Sequence, residues 1–302
     1  MSNTTNNGTK LVRDIYAAKS AAGQPVVSFE FFPPKTPEGD QNLLEKTIPA
    51  LMQAKPDFCS VTYGAGGSTR EKTLMIVDRI QKQHHLTAVA HLTCVSATKE
   101  EIRSLLEQIK SLGVRNVLAL RGDPPGGGAF QMTAGGFEYS NQLVEFIRGL
   151  DHFSIGVAGF PEGHIACKAG KLVDWGYLKS KIDAGADYVL TQLFFDNADF
   201  YEFRDHLRNA GVKIPVVPGI VPILNANQIK RFTAMCGARI PAALAAKLDA
   251  IGDNEAAATE FGIEYATEQC RDLLKNGVPG IHFYTLNKAH STLRVLKNLG
   301  LA

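Results

Sequence analysis

The chain has 302 residues, of which 45% are hydrophobic, and its 32 basic and 30 acidic side chains leave a net charge of only +2. This balance provides no basic surface of the kind that binds nucleic acid or an anionic membrane. The five cysteines are odd in number, widely spaced and without a C-x-x-C pair. They argue against a disulfide framework or a zinc module and favour a reducing, cytoplasmic compartment.

The hydropathy of the chain gives no sign of a transmembrane or signal segment. No apolar run approaches the roughly 18 residues of a transmembrane helix. Residues 1–10 are mostly polar and contain no apolar signal segment, so they predict a disordered tail. No composition break follows, which predicts one domain over 11–302.

Apolar runs bounded by turn residues predict eight strands along the chain. The first begins at Val26 and is stopped by Pro33 and Pro34, which cannot continue a strand ladder. The other seven predicted strands are 58–63, 86–95, 114–120, 154–158, 188–195, 214–217 and 281–286.

Helical patterns alternate with these strands. Thr98 and Glu101 have the spacing of a capping box and predict a helix start. The remaining predicted helices are 40–54, 68–83, 139–150, 168–184, 198–210, 226–236, 241–251, 255–276 and 288–299.

The strands are too continuously apolar for a sheet with one wet face, which is typical of parallel strands covered by helices. Eight such units in one chain of this size predict a single α/β domain, a (β/α)8 TIM barrel with extra helices before the last strand. An open, doubly wound sheet is the alternative architecture.

In such a barrel the active site is built at the C-terminal ends of the strands. Polar residues stand at most of the predicted ends, and two carboxylates, a histidine, an amide and a tyrosine among them are typical of an enzyme. These strand-end residues are Glu30, Thr62, Tyr63, His91, Thr93, Arg121, Gly122, Asp123, residues 158–164, Gln192 and Tyr284.

Glu30 stands alone in an apolar strand, where an unpaired carboxylate is costly. It either forms a structural ion pair, for which Arg121 is the candidate, or takes part in chemistry. His91 has a similar alternative as a satisfied core histidine. Gln192 is harder to explain structurally because a buried amide needs several partners. Asp196 is predicted to cap the helix that follows it.

Two glycine-rich segments resemble phosphate-binding loops only in part. Gly64-Ala65-Gly66-Gly67 follows a strand but lacks the third glycine of a dinucleotide fingerprint. It is interpreted as a loop that approaches a ligand. Gly126-Gly127-Gly128 lacks the Lys-Ser/Thr of a P-loop and is interpreted as a mobile loop. No metal-ligand spacing is present, so no metal site is predicted.

The strand-end segments as a set resemble bacterial-type 5,10-methylenetetrahydrofolate reductases, in the order found in that family. The segments that carry the resemblance are 28–34 (SFEFFPP), 60–65 (SVTYGA), 91–94 (HLTC), 119–123 (ALRGD), 183–187 (DAGAD), 191–196 (TQLFFD), 218–220 (PGI) and 282–287 (HFYTLN).

The resemblance implies an FAD-containing barrel that reduces methylenetetrahydrofolate to 5-methyltetrahydrofolate with NADH or NADPH in two successive half-reactions at one flavin. It places the chain in one-carbon metabolism that feeds methionine synthesis. Glu30 is then the general acid, with a pKa raised by its apolar strand, and Asp123 is the anion that stabilises the cationic iminium.

The resemblance also assigns ligand contacts. Gln192, Tyr284 and Lys288 are expected to bind the folate, and Arg121 and His164 the flavin diphosphate. The full set of expected flavin contacts is Thr62, His91, Leu120, Arg121, Gly122, Asp123, Tyr139, Ala158, His164, Asp174 and Lys181.

Some positions depart from the family pattern. Ala226 stands where relatives have an aromatic side chain that stacks on a ligand, with Leu224 as a partial substitute. Lys288 replaces an arginine of some members, which keeps the charge without the bidentate fork. Tyr177 and Ser180 replace polar or basic residues, so the adenine end of FAD is expected to be held differently.

The resemblance leaves NADH against NADPH open and implies a homo-oligomer. Two other functions stay as alternatives. One is a barrel lyase or aldolase that uses Glu30 and Asp123 for proton transfer, and the other is a folate-binding protein without turnover.

Overall fold

The structure is a computed structural model that describes residues 9–64, 69–124, 126, 128 and 130–302. Eight parallel strands pair in sequence order and close on themselves, β1 with β8. The predicted barrel is confirmed. The strands are β1 Val26–Phe31, β2 Phe58–Val61, β3 Thr87–Thr93, β4 Asn116–Leu120, β5 Ser154–Gly159, β6 Tyr188–Leu193, β7 Val216–Ile220 and β8 Gly280–Tyr284.

Helices surround the barrel, and three of them stand between β7 and β8, as the sequence predicted. The helices are α1 Val12–Ala21, α2 Pro37–Asn42, α3 Ile48–Met52, α4 Arg70–His84, α5 Lys99–Ser111, α6 Ser140–Arg148, α7 Lys171–Asp183, α8 Asn197–Asn209, α9 Ala226–Cys236, α10 Ala242–Ile251, α11 Glu255–Lys275 and α12 Ala289–Leu299. The capping box of α5 and the Asp196 cap of α8 are both present.

Strand alternation separates two cores. In β1, Phe29 and Phe31 belong to the large apolar layer between the strands and the helices. Val26 belongs instead to a second cluster with Phe58 and Tyr188, inside the barrel. Since side chains alternate along a strand, Ser28 and Glu30 share the inward face with Val26.

Helix α1, which the sequence analysis left unassigned, packs on that inner cluster. Its Val12 and Tyr16 join Phe58 and Tyr188 in the interior. The backbone N–H of Val12 donates to Asn116 Oδ1 at 2.8 Å, at the first residue of β4. Helix α1 therefore covers the side of the barrel at which the strands begin. The opposite side, where the C-terminal ends of the strands lie, is called the mouth.

The ends of several strands differ from the prediction, and β2, β3 and β6 each end two residues earlier than expected. Pro218 and Gly219 lie inside β7 instead of after it, because the pairing of β6 with β7 shifts register between Leu190 and Leu193 and so accommodates a proline without an N–H. Strand β8 ends at Tyr284 instead of residue 286, since Leu286 has a left-handed φ of 49° that strand backbone does not adopt.

The predicted helix 40–54 is longer and less regular than expected. It begins at Pro37, with Thr36 as its cap, and a π-helical segment over Leu43–Thr47 separates α2 from α3. Helix α4 begins at Arg70, and Thr69 Oγ1 accepts from Gly64 N–H instead of capping the helix. Within the described residues, no helix has the length and apolar character needed to cross a membrane.

Parts of three predictions lie outside the described residues. They are the tail at 1–8, most of the loop Gly64-Ala65-Gly66-Gly67, and Gly127 of the 126–128 loop. Thr9 is buried, and Lys10 N–H donates to Thr87 Oγ1, so these two residues of the predicted tail contact the barrel.

Candidate active site

Glu30 lies at the mouth with 6% of its surface exposed. Its Oε2 accepts from Ser60 Oγ at 3.2 Å, on the neighbouring strand β2. Two imidazoles converge on the same oxygen: His91 Nε2 on β3 at 3.2 Å and His282 Nε2 on β8 at 3.5 Å. The carboxylate is therefore buried with polar partners from three strands, and none of these partners is Arg121.

These partners reverse the expected direction of the Glu30 pKa. Burial raises the pKa of this carboxyl, as the sequence predicted. The positive charge on His91 and the hydrogen bond with His282 outweigh burial and lower the pKa from 4.5 to about 2. The expectation of a raised pKa is wrong for this structure, because an apolar strand sequence does not reveal histidines brought in from other strands.

The backbone on both sides of Glu30 is fixed by the segment after β8. Thr285 Oγ1 donates to Glu30 O at 2.7 Å, and the Asn287 side chain bonds both Phe32 N–H and Phe32 O, at 3.0 and 2.7 Å. Leu286 and Asn287 both have left-handed φ angles, 49° and 56°. Strained backbone of this kind is common beside functional sites. Here it lies in the segment that connects the first and last strands beside Glu30.

His91 is not a satisfied core histidine. It is 6% exposed, and its Nε2 has no partner in hydrogen-bond geometry despite its closeness to Glu30. Two residues on, Thr93 Oγ1 is buried and also lacks a partner. Buried polar atoms are nearly always satisfied. These two atoms therefore leave hydrogen-bonding capacity unused on the inner face of β3.

A second charged cluster lies at the rim, from β4 to α7, and is called here the rim cluster: Arg121, His164, Asp174 and Lys181. Lys181 Nζ donates to Ala158 O at 2.7 Å at the end of β5. Burial lowers the pKa of Lys181 from 10.5 to about 8, with Arg121 acting in the same direction and Asp174 against it.

The other members of the rim cluster are coupled to the same charges. Burial lowers the pKa of His164, and Arg121 and Lys181 act in the same direction, while Asp174 and Asp123 oppose it. The pKa of Asp174 is raised by burial in spite of Lys181. The Arg121 guanidinium lies 5.0 Å from the Phe130 ring centroid, which keeps the arginine near the rim.

Gly122 and Asp123 follow Arg121 at the end of β4. Gly122 has a φ of +84°, and a Cβ there would lie 2.6 Å from Val95 Cγ1, so the turn requires glycine. Asp123 is exposed. Leu120, just before, is half-buried and packs on the inner cluster, while Thr62 at the end of β2 is half-buried as well.

On the other side of the mouth, Tyr284 Oη donates to Thr191 O at 2.6 Å. Its ring occupies the space that a Cβ on Gly219 would take, 2.6 Å from Tyr284 Cε2, so glycine in β7 makes room for it. Gln192 is half-buried, and its Oε1 accepts from Leu193 N–H at 2.9 Å. Both residues lie on the inward face of the barrel.

Three predicted positions lie further out. Lys288 is exposed at the start of α12, and Tyr139, 52% exposed, precedes α6. Ala226 is buried in the apolar cluster beside β7, whereas Leu224 is half-buried. Ala226 therefore offers no stacking surface, whereas part of the Leu224 side chain is accessible.

Sequence reasoning missed His282, Ser28 and Ser60 as members of the site. Their signal was available, since each is polar and stands two residues before a predicted site residue in its strand: Tyr284, Glu30 and Thr62. Alternation would have placed all three on the inward face. Among the described residues, no group of three histidines, cysteines or carboxylates has an arrangement that could hold a metal ion.

Together the fold and the mouth define a class: a (β/α)8 barrel with a buried carboxylate–imidazole cluster beside a cationic rim. The comparisons with known proteins place the chain within that class. Residues 15–300 match the family model described as methylenetetrahydrofolate reductase, and the chain belongs to this family.

Relatives with that name occur in plants and bacteria. The chain is 45% identical to a probable methylenetetrahydrofolate reductase (NADH) of Oryza sativa, over 97% of this chain and 51% of the rice protein. It is 39% identical to 5,10-methylenetetrahydrofolate reductase of Escherichia coli K12, over 92% of both chains. The chain thus spans about half the length of the plant relatives and most of the bacterial one.

Solved structures agree on the fold. An uncharacterized Clostridium thermocellum protein that binds two copies of 5-methyl-5,6,7,8-tetrahydrofolic acid aligns with a TM-score of 0.62 at 15% identity, over 95% of this chain and 97% of that one. A 2,3-dimethylmalate lyase aligns with a TM-score of 0.52 at 13% identity, over 99% and 96%. At these identities the likeness shows the fold alone.

Proposed function

We propose that this chain is an FAD-dependent reductase that converts 5,10-methylenetetrahydrofolate to 5-methyltetrahydrofolate, with NADH as the electron donor. The observation that carries the proposal is the buried Glu30 cluster at the mouth of a barrel of the methylenetetrahydrofolate reductase family. The printed names of the plant relatives support NADH as the donor.

The residues at the mouth fit FAD. The partnerless His91 Nε2 and Thr93 Oγ1 are donors or acceptors for a polar heterocycle. Arg121 and Lys181 supply positive charge suited to a diphosphate, and the His164 ring supplies a hydrogen-bonding nitrogen beside them. Leu120 and Ala158, half-buried near the ends of β4 and β5, offer apolar surface for a ring system. When bound, FAD would take up a hydride from NADH and supply it to the one-carbon unit of the folate.

The protein's own residues supply the acid chemistry. Opening the five-membered ring of the folate requires a proton on the departing nitrogen, and Glu30 Oε2 is the acid proposed to provide it. Asp123, an exposed carboxylate at the rim, would balance the positive charge of the iminium. Gln192 and Tyr284 would orient the pterin, and Lys288 the more distant carboxylate of the folate. The site is proposed to act in the cytoplasm, in the one-carbon metabolism that supplies methionine synthesis.

The test is spectroscopic. Purified protein supplied with FAD is expected to be yellow, to lose the flavin absorbance when NADH is added anaerobically, and to regain it on addition of methylenetetrahydrofolate. NADPH is the matched comparison for the first step. A protein that binds no flavin, or whose reduced flavin is not reoxidised by the folate, would contradict the proposal; activity without flavin that is lost on chelation would favour the lyase alternative.

A further inference from the structure

His282 lies in the barrel interior behind Glu30 and has no part in the proposed reaction so far. Its side chain is fully buried. Nδ1 lies 2.8 Å from Ser28 Oγ, and Nε2 lies 3.5 Å from Glu30 Oε2. The ring stacks on Phe58 with a centroid distance of 6.3 Å, and Tyr284 meets it edge-on at 5.5 Å. The imidazole is therefore fixed at both nitrogens and by two aromatic neighbours.

The two histidines around Glu30 differ in their partners. His91 Nε2 is closer, at 3.2 Å, but it is outside hydrogen-bond geometry and has no partner. That nitrogen is available to a ligand. His282 Nε2 lies within hydrogen-bond geometry of the carboxylate, at 3.5 Å, and Nδ1 has a second protein partner in Ser28. His282 is thus tied to the protein, whereas His91 faces the mouth.

Ser28 can support either charge state of His282. A hydroxyl group donates one hydrogen bond and accepts others. It can donate to Nδ1 of a neutral imidazole whose Nε2–H points to Glu30. It can equally accept from Nδ1–H of an imidazolium. Because the hydroxyl needs only to rotate, a proton can move between Oε2 and Nε2 without a change in the backbone.

We infer that His282 is a positioning residue for Glu30 that exchanges one proton with it; this inference rests on the proposed function. In the ligand-free site the pair is Glu30 carboxylate with His282 imidazolium. In the ligand-bound site the Nε2–H bond has broken and an Oε2–H bond has formed. This gives a neutral Glu30 carboxylic acid and a neutral His282 imidazole. The net charge of the pair is unchanged.

Binding of a flat ligand at the mouth favours the neutral pair over the ion pair. A ligand excludes water from around Glu30, and burial disfavours charged forms. The ion pair therefore loses stability relative to the neutral pair. After Glu30 gives its proton to the departing nitrogen, the pair is short of one proton, which solvent returns when the product leaves.

The groups that face His282 are few among the described residues. On β1 they are Ser28 and Glu30, on β2 Phe58, and on β8 Tyr284; His91 reaches the same carboxylate from β3. Tyr284 takes no part in the exchange, since burial raises its pKa well above the usual range and its hydroxyl donates to Thr191 O.

The first experiment is the pH dependence of each half-reaction in His282→Gln, which places an amide donor near the position of Nε2 but cannot titrate. Flavin reduction by NADH is expected to stay within about twofold of wild type. Reoxidation by methylenetetrahydrofolate is expected to fall by about tenfold or more, with its basic limb moved to lower pH.

A milder pair of variants guards against misfolding. Ser28→Ala removes the partner of Nδ1 and is expected to move the basic limb of folate reduction to lower pH by about one unit, because the hydrogen bond that Ser28 accepts from the charged ring is stronger than the one it donates to the neutral ring. Ser154→Ala is the matched control, a fully buried serine at the opposite end of the barrel interior, and should keep the wild-type profile. Wild-type profiles in both His282→Gln and Ser28→Ala would overturn the inference.

A second measurement does not depend on turnover. In 15N-histidine-labelled protein, with His282→Gln used to assign the signal, the His282 ring is expected to pass from imidazolium to neutral when 5-methyltetrahydrofolate is added. An unchanged charge state in the folate complex would overturn the inference. A wild-type protein that binds folate but fails in folate reduction would instead contradict the proposed function.

Discussion

The Glu30 cluster and the rim cluster both gather titratable groups at the barrel mouth, but they treat charge in opposite ways. In the Glu30 cluster one buried carboxylate is held by two imidazoles and Ser60 from neighbouring strands. In the rim cluster burial disfavours the charge on Lys181, His164 and Asp174 alike. The interior therefore pairs its carboxylate within the protein, whereas burial at the rim leaves Lys181 with a charge that the protein stabilises only in part.

The largest effect that separates the two clusters is expected from Glu30→Gln. If Glu30 is the acid, reoxidation of the flavin by methylenetetrahydrofolate should fall by about 100-fold or more, the usual range for loss of a general acid. Flavin reduction by NADH should change little. Stopped-flow absorbance of the flavin measures both steps, and Glu107→Gln, an exposed carboxylate on α5, is the control. Equal losses in both steps would remove Glu30 from the acid role.

The stability of the protein in acid should report the same carboxylate. The folded pKa of Glu30 is lowered to about 2 from 4.5, so the unfolded chain binds a proton first as the pH falls. Stability from this group is present above about pH 4.5 and is lost as the pH falls toward 2, by up to about 3 kcal/mol. Urea unfolding between these pH values measures it, and Glu30→Gln should flatten the slope relative to Glu107→Gln.

At the rim, the affinity for FAD should depend on Lys181. Its pKa is lowered to about 8, so its charge is lost as the pH rises through that value, well below the ordinary 10.5. FAD binding is expected to weaken above about pH 8, and Lys181→Met should weaken it by about tenfold at pH 7 and remove this dependence. Equilibrium dialysis of the apoprotein measures the affinity. Lys179→Met, on the same helix, is the control, and an equal effect there would contradict the role of Lys181.

The smallest effect is expected from Asn287→Ala, which removes the two hydrogen bonds to Phe32. The free energy of unfolding should fall by about 1–2 kcal/mol. Folate reduction should fall more than flavin reduction by NADH, since the backbone beside Glu30 loses its support. Thermal unfolding and the two half-reactions measure these changes, with Asn298→Ala on α12 as the control. An unchanged ratio of the two rates would show that Asn287 does not support the function of Glu30.

The sequence predicted the barrel because its signals are local. Apolar runs, turn residues and the Thr98–Glu101 capping box each act within a few residues, and eight repeats leave few ways to close the chain. The strand ends were located well enough to bring Glu30, His91, Gln192 and Tyr284 to one mouth. The family resemblance, confirmed by the match over residues 15–300, then gave these positions a chemistry.

The sequence alone determined the eight-unit barrel, the polar mouth and the family of this protein. Only the tertiary structure decided the partners of Glu30, because Glu30 and His282 are 252 positions apart and meet only when β1 pairs with β8. It likewise reversed the expected direction of the Glu30 pKa, since burial can be foreseen from an apolar strand but opposing charges from other strands cannot. Local patterns fix secondary structure, whereas electrostatics depends on distances through space.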